Sequence, residues 1–299
     1  MINRAALLRQ LEPGLHALFG MEYKRYPAEH QEIFDTYSSE RAFEEEVLIT
    51  GFDAAVVKPE GAGITYDTAG ESWVARYTHE VVGLGFQITE EAIDDNLYDR
   101  LSTRYTKALA RSMMHTKQIK AASVLNNGFS GSYLGGDGKS LMATDHPLYN
   151  GGTYSNRAAA DLSETALENA YLAISDFVDE RGLPIALKAT KLIIPIELTF
   201  VAERLLASDK RPGTSDNDVN AIRTTGIYSG SYTVNHYLTD PDAWFLKTDC
   251  PEGLKHFMRK GLKTSIEGDF ETGNVRYKSQ ERYSFGWTNP RAIYGSPGV

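Results

Sequence analysis

Residues 81–101, VVGLGFQITEEAIDDNLYDRL, contain a change of hydrophobic period that decides the fold. Upstream, apolar or aromatic side chains alternate with polar ones at Trp73, Ala75, Tyr77, His79 and Val81. A period of two suits a strand with one buried face. Downstream the spacing becomes three to four, with Ile93, Leu97, Leu101, Tyr105, Leu109 and Met113 on one helical face and Ile119 and Ala122 extending it to about Leu125. Thr89 stands at the N-cap, Glu90 and Glu91 complement the positive end of the helix dipole, and Asn126-Asn127-Gly128 stops the helix. At about 1.5 Å per residue this helix is a spine of roughly 50 Å, with room for one break.

On the N-terminal side, residues 47–88 carry β-branched runs punctuated by Pro59-Glu60-Gly61 and Ala69-Gly70, which predicts a long two-stranded excursion. A hairpin alone is marginal in water, so it must rest on a neighbour. Residues 1–46 predict an amphipathic helix at Ala5–Phe19 and then a polar stretch ending in Glu44-Glu45-Glu46, an arm with little core of its own.

On the C-terminal side, residues 128–160 form a Gly-, Ser- and Asn-rich loop. A helix follows, with Leu167, Ala170, Tyr171, Ile174, Phe177 and Val178 on one face and Gly182 and Pro184 after its end. Next come a buried strand at Leu192-Ile193-Ile194, a helix at Pro195–Leu206, and strands at Tyr232–Leu238 and Ala243–Thr248 joined through Asp240-Pro241-Asp242. Val275, Tyr277, Ser279, Glu281, Tyr283, Phe285 and Trp287 share one face of a strand paired, through Thr272-Gly273-Asn274, with Leu262–Phe270. A short run at Arg291–Tyr294 completes an α+β architecture.

Composition sets the outer bounds. At 299 residues with 41% apolar and 24% charged side chains, the chain can bury a sizeable core. No apolar run is long enough to span a bilayer, and Arg9, Gln10 and Glu12 break up the N-terminal stretch, which argues against a secretory signal. The single cysteine, Cys250, excludes an internal disulfide and suits a reducing cytoplasm. The net charge of -9, with Lys and Arg scattered along the sequence, argues against tight sequence-specific DNA binding.

A search for catalytic chemistry ends empty. Gly138-Lys139-Ser140 resembles the end of a phosphate loop, but Tyr133 stands where the first glycine belongs. Gly83-Leu84-Gly85 lies inside a strand pattern, with Ile88 at the third glycine position of a dinucleotide fingerprint. Asp145-His146-Pro147 reads as a surface histidine or a loop-capping aspartate, and His79-Glu80 and His236 have no metal-ligand spacing. Cys250, between Asp249 and Pro251, is not activated, and the pairs Glu90/Glu91 and Asp94/Asp95 belong to a helix start. The 17 tyrosines lack interleaved basic residues, which favours packing over base stacking. The sequence therefore assigns no catalytic, cofactor-binding or metal-ligating residue.

The order of these parts resembles the Hong Kong 97-type fold of tailed-bacteriophage major capsid proteins, over essentially the whole chain. VVGLGFQITEEAIDDNLYDRL resembles the passage from extended loop to spine helix in capsid proteins related to Mu-like head subunits. ASVLNNGFSG and GGDGKSLMATDHPLYNGG resemble the helix exit and Gly-rich loop of that group, and YKSQERYSFGWTNPRAIYGS its C-terminal strand pair. The resemblance implies an N-terminal arm at 1–46, an E-loop at 47–88 and a P-domain with the spine helix at 89–159. It further implies an A-domain at 160–255 and P-domain C-terminal strands at 256–299. The implied role is a structural subunit that self-assembles as pentamers and hexamers into an icosahedral head enclosing double-stranded DNA, in the host cytoplasm and then in the virion. Scaffolding, portal and decoration proteins are the implied partners, with no membrane and no cofactor.

No long charged coiled coil precedes the arm, so the scaffold is expected as a separate protein or a removed segment. Some relatives lock their shells with a Lys–Asn isopeptide bond, for which Lys58 is the sole candidate within 47–88. That role also needs a buried carboxylate and an asparagine partner that sequence does not place. Two alternatives stand beside this one. An encapsulin-type nanocompartment shell shares the fold, and an α+β hydrolase would use Asp145, His146 and a further carboxylate.

Overall fold

The computed structural model describes residues 4–94, 98–211, 218–228, 232–269 and 272–299, with backbone alone at 4–13, 93–94 and 98–101. In chain order the elements are α1 (Arg4–Arg25), α2 (His30–Ile33), β1 (Asp35–Ser38), β2 (Phe43–Ile49), β3 (Glu71–Thr78), β4 (Glu80–Ile88), α3 (Glu90–Asp94) and α4 (Tyr98–Asn126). After the Gly-rich loop, with β5 (His146–Pro147) and β6 (Thr153–Tyr154), come α5 (Glu164–Ser175), β7 (Ala189–Ile194), α6 (Thr199–Ala207) and α7 (Ala221–Thr225). The chain closes with β8 (Tyr232–Val234), β9 (Trp244–Thr248), β10 (Leu254–Gly268), β11 (Val275–Trp287) and β12 (Ile293–Ser296).

The spine is α4, 29 residues and about 43 Å long. Ser102, Thr106, Leu109, Ala110, Met113, Lys117, Ala121, Ala122 and Leu125 form its buried stripe, at helical spacing. Ile119 was expected in this stripe but is exposed, and so is Tyr105; both lie off the line of the buried positions. The expected contacts of Ile93, Leu97 and Leu101, and the positions of Asp94 and Asp95, lie outside the described side chains. Thr89 caps α3, its hydroxyl accepting from Ala92 N at 3.4 Å.

One four-stranded sheet, β1-β10-β11-β4, lies on the spine. β10 and β11 form a long antiparallel hairpin, and the turn places Gly273 at φ +69°, a conformation that favours glycine. A second sheet, β12-β9-β7-β8, packs with α5 and α6 around Leu167, Ile174, Leu192, Ile194, Trp244 and Leu246.

Four expectations are corrected here. First, residues 80–88 are not part of the excursion, because β4 pairs with β11 from Glu80↔Tyr283 to Ile88↔Val275. The burial alternation shifts phase after His79, so Val81 faces solvent while Val82, Phe86 and Ile88 face inward. The excursion is instead the β2–β3 ladder, Phe43↔Thr78 to Ile49↔Glu71, with the long loop between.

Second, the arm, expected to have little core of its own, packs onto the core of this chain. α1 extends to Arg25 and packs along α4, with Leu15 and Phe19 against Leu109, Ala110, Met113 and Tyr277, while Ile33 and Phe34 are buried near Leu125 and Phe285. Third, the two strands of YKSQERYSFGWTNPRAIYGS, β11 and β12, lie in different sheets and do not pair with each other. β12 hydrogen-bonds β9, Ile293↔Lys247 to Ser296↔Trp244, and ties the C-terminus to the second sheet. Fourth, β8 ends at Val234 and runs parallel to β7. The backbone then turns, with Asn235 N donating to Ile194 O at 2.9 Å.

Candidate assembly surface and buried polar centres

The loop at 51–69 is exposed at every residue, and it projects large apolar side chains into solvent. Val57 is 92% and Tyr66 91% exposed, with Phe52, Val56 and Ile64 also open. Soluble monomers rarely leave such a group together. Its base is held firmly. Thr50 N donates to Gly70 O and Gly70 N to Thr50 Oγ1, each at 2.8 Å. Arg181, from the turn after α5, donates to Asp53 Oδ2 (3.0 Å) and Thr68 O (2.6 Å), with its guanidinium over the Tyr149 ring. Asp67 accepts backbone bonds from Asp53 and Thr68, which with Arg181 hold its carboxyl below the usual range. Lys58 is exposed on this loop, beside Pro59.

The ladder below the loop is anchored through hydroxyls. Trp73 Nε1 donates to Thr288 O at 3.1 Å. Thr288 gives its one hydroxyl proton to Glu46 at 2.5 Å, so Tyr77 must be the donor in its 2.5 Å contact with Thr288 Oγ1. Lys255 completes the chain on Glu46, also at 2.5 Å. His79 is fixed likewise: Ser39 spends its proton on Glu44, so His79 Nε2 donates to Ser39 and Nδ1 accepts from Ser284, both at 2.9 Å. Burial lowers the His79 pKa, and the ring is a neutral strut.

His146 is not on the surface. Its ring is fully buried, with Nδ1 2.6 Å from Asp137 Oδ2 and Nε2 3.0 Å from Asn156 Oδ1. Asn156 Nδ2 donates to the carbonyls of Leu141 (2.8 Å), Pro290 (3.0 Å) and Ile293 (3.1 Å), so its Oδ1 must face the imidazole. Nε2 therefore donates to Asn156, and Nδ1 is held against the Asp137 carboxylate. His146 stacks on Tyr154, whose ring also receives Arg291 at 4.2 Å. Arg291 in turn donates to Val178 O at 2.6 Å and pairs with the buried Glu180, whose pKa burial raises. These groups bind the Gly-rich loop, the C-terminal turn and the end of α5 together.

Both nitrogens of His146 are committed and its ring is closed to solvent, so it cannot serve as a base on a substrate. Asp145 does not join it. That carboxylate is exposed and pairs with Lys139. Ser140 donates to Met142 O, and Gly138 occupies a turn at φ +73°, so the Gly-Lys-Ser run is a loop tip. Gly83 and Gly85 sit in β4, where a Cβ on Gly85 would lie 2.8 Å from Tyr277 O; close strand pairing explains that glycine. His236 is exposed and pairs with Glu29, and burial pushes the Cys250 thiol up to about 12.

A third centre was not anticipated. Lys117 on the spine lies 2.5 Å from Glu281 in the middle of β11, and both are almost fully buried. Tyr23 of α1 accepts from Lys117 Nζ (2.9 Å) and donates to Glu281 (3.3 Å). Beside it, His30 and His256 pack edge to face, and His256 stacks on Phe285. Burial and the Lys117 charge lower their pKa values, to about 4 and about 3.

Comparison with solved structures defines the class of fold. The chain is similar to the virus-like particle of Pyrococcus furiosus (TM-score 0.56, 12% identity, covering 94% of this chain and 97% of that one). It is similar to the procapsid of bacteriophage JBD30 (0.55, 13%, 97% and 75%) and to the capsid of an empty GTA particle (0.56, 13%, 90% and 89%). At these identities the likeness is one of fold, the Hong Kong 97-type shell fold. A comparison of the sequence with curated proteins finds no match. The family model described as phage capsid protein matches residues 73–296, three quarters of the chain, and the protein belongs to that family. It is a structural family, not a class of enzymes.

Proposed function

We propose that the chain is the major capsid subunit of a tailed phage, and that copies of it assemble as pentamers and hexamers into an icosahedral head around double-stranded DNA. The exposed apolar loop on its locked base carries this reading. Burying a side chain such as Val57 or Tyr66 is worth about 1.5–3 kcal/mol, and among the described residues nothing provides that burial. A neighbouring copy does, which makes each subunit an incomplete globule.

The domain division stated above is kept, with two changes: the excursion runs from β2 to β3, and β12 belongs with the 160–255 unit. Scaffolding, portal and decoration proteins are further partners on this reading, and assembly takes place in the host cytoplasm. Lys58 is the residue of the loop through which a covalent lock between subunits would run, if this shell has one.

The test is to replace Val57 and Tyr66 by serine. Particles should be lost while the subunit's own unfolding midpoint is unchanged. Normal particle yield from that variant overturns the role given to the loop. The content of wild-type particles separates the alternatives: packaged DNA supports the phage head, whereas a co-purifying cargo enzyme supports the nanocompartment.

A further inference from the structure

Acidic residues outnumber basic ones 40 to 31 in the whole sequence, yet none occurs between Asp99 and Asp137. That segment carries six cations: Arg100, Arg104, Lys107, Arg111, Lys117 and Lys120. Two are neutralised within the fold, Lys117 by Glu281 and Lys120 by Glu80. Arg104, Lys107 and Arg111 are exposed, and among the described residues none of the three has an ion-pair partner.

Their spacing places them on one face of α4, joined by His115 and turned away from the Leu109–Met113 stripe. With Tyr26, Ala108 and Ser112, three of these residues (Lys107, Arg111 and His115) line an open groove of about 440 Å³. The three cations cover about 10 Å of helix, a length over which duplex DNA presents about six phosphate charges.

We propose that this face of α4 is a sequence-independent contact for the phosphate backbone of duplex DNA, and that it marks the inner side of the shell. The proposal rests on the capsid reading given above. The groove has no large aliphatic side chain to anchor an acidic protein helix, whereas long cations with no ion-pair partner among the described residues suit a register-free polyanion. Each contact is weak against a net charge of -9, and repetition over many subunits supplies the avidity.

The test measures binding of a short fluorescent duplex of arbitrary sequence to the unassembled full chain across a salt series. Wild type is compared with the triple variant Arg104→Ala/Lys107→Ala/Arg111→Ala. A charge-matched control carries Lys188→Ala/Lys260→Ala/Lys278→Ala at other exposed positions. The stripe variant should lose about tenfold or more in low-salt affinity, and its log–log salt slope should become shallower by about 2 to 3. The control should match wild type. Equal losses in both variants, or no loss in the stripe variant, overturn the proposal. So does binding of poly-glutamate as tight as that of DNA, which assigns the face to an acidic protein. Electron microscopy of the wild-type chain is read separately: absence of closed shells strikes the capsid reading, while the binding data still decide the stripe.

Discussion

Lys117 Nζ lies 2.5 Å from Glu281 Oε2, joining the spine helix to the centre of the β10–β11 hairpin inside the protein. Both groups have left water, so the pair stabilises only as a pair. Tyr23 supplies the third member, which brings α1 into the same contact. Packing of the arm, spine and sheet thus converges on one charge pair.

Replacing Lys117 by methionine strands the Glu281 carboxylate. The subunit should lose about 3–5 kcal/mol, read as a lowered urea midpoint. Adding Glu281→Leu removes the stranded charge and should recover much of the loss. A single variant as stable as wild type contradicts the assignment.

Asp137 and Asp145 make opposite predictions within one loop. Asp137→Ala removes the partner of a buried imidazole and should cost about 3 kcal/mol or more. Asp145→Ala breaks an exposed pair with Lys139 and should cost at most about 1 kcal/mol. Thermal unfolding of the two variants side by side checks this.

Stability should fall on mild acidification. The unfolded chain protonates His30 and His256 near pH 6.5, while the folded rings stay neutral down to about 4 and about 3. Below pH 6.5 the unfolded state therefore binds more protons, and each ring costs about 1.4 kcal/mol per pH unit until its folded pKa is reached. Glu180 and Glu281, raised by burial, slope the other way. The comparison is thus between wild type and His30→Phe/His256→Phe, with denaturation followed between pH 7 and pH 4. The variant should lose the acid sensitivity, and identical slopes would falsify the assignment.

Much of this fold is written locally. The change of period at Thr89 gives the spine, and alternation from Val275 to Trp287 gives β11, because both depend on which residues share a face. Pairing over long separations is not written that way. Nothing near Ile293 announces that β12 will hydrogen-bond β9, and nothing near Phe19 tells that it buries against the subunit's own Leu109 and not a neighbour. His146 illustrates the same limit: Asp145 is adjacent in sequence, yet the loop's hydrogen bonds to Asn156 deliver Asp137 instead. The basic stripe was hidden for a related reason. Lys and Arg look scattered until Glu80 and Glu281 are seen to remove two of them.

The most direct test of the shell reading combines particle size with the state of the loop. Purified wild-type protein, expressed alone and with a scaffold partner, is examined by negative-stain microscopy, and thermolysin cleavage at 51–69 is followed in free and assembled fractions. The expected result is closed megadalton shells in which the loop resists cleavage, beside free subunits in which it is cut at once. A chain that stays monomeric under both conditions and protects 51–69 by folding it onto its own core contradicts the account.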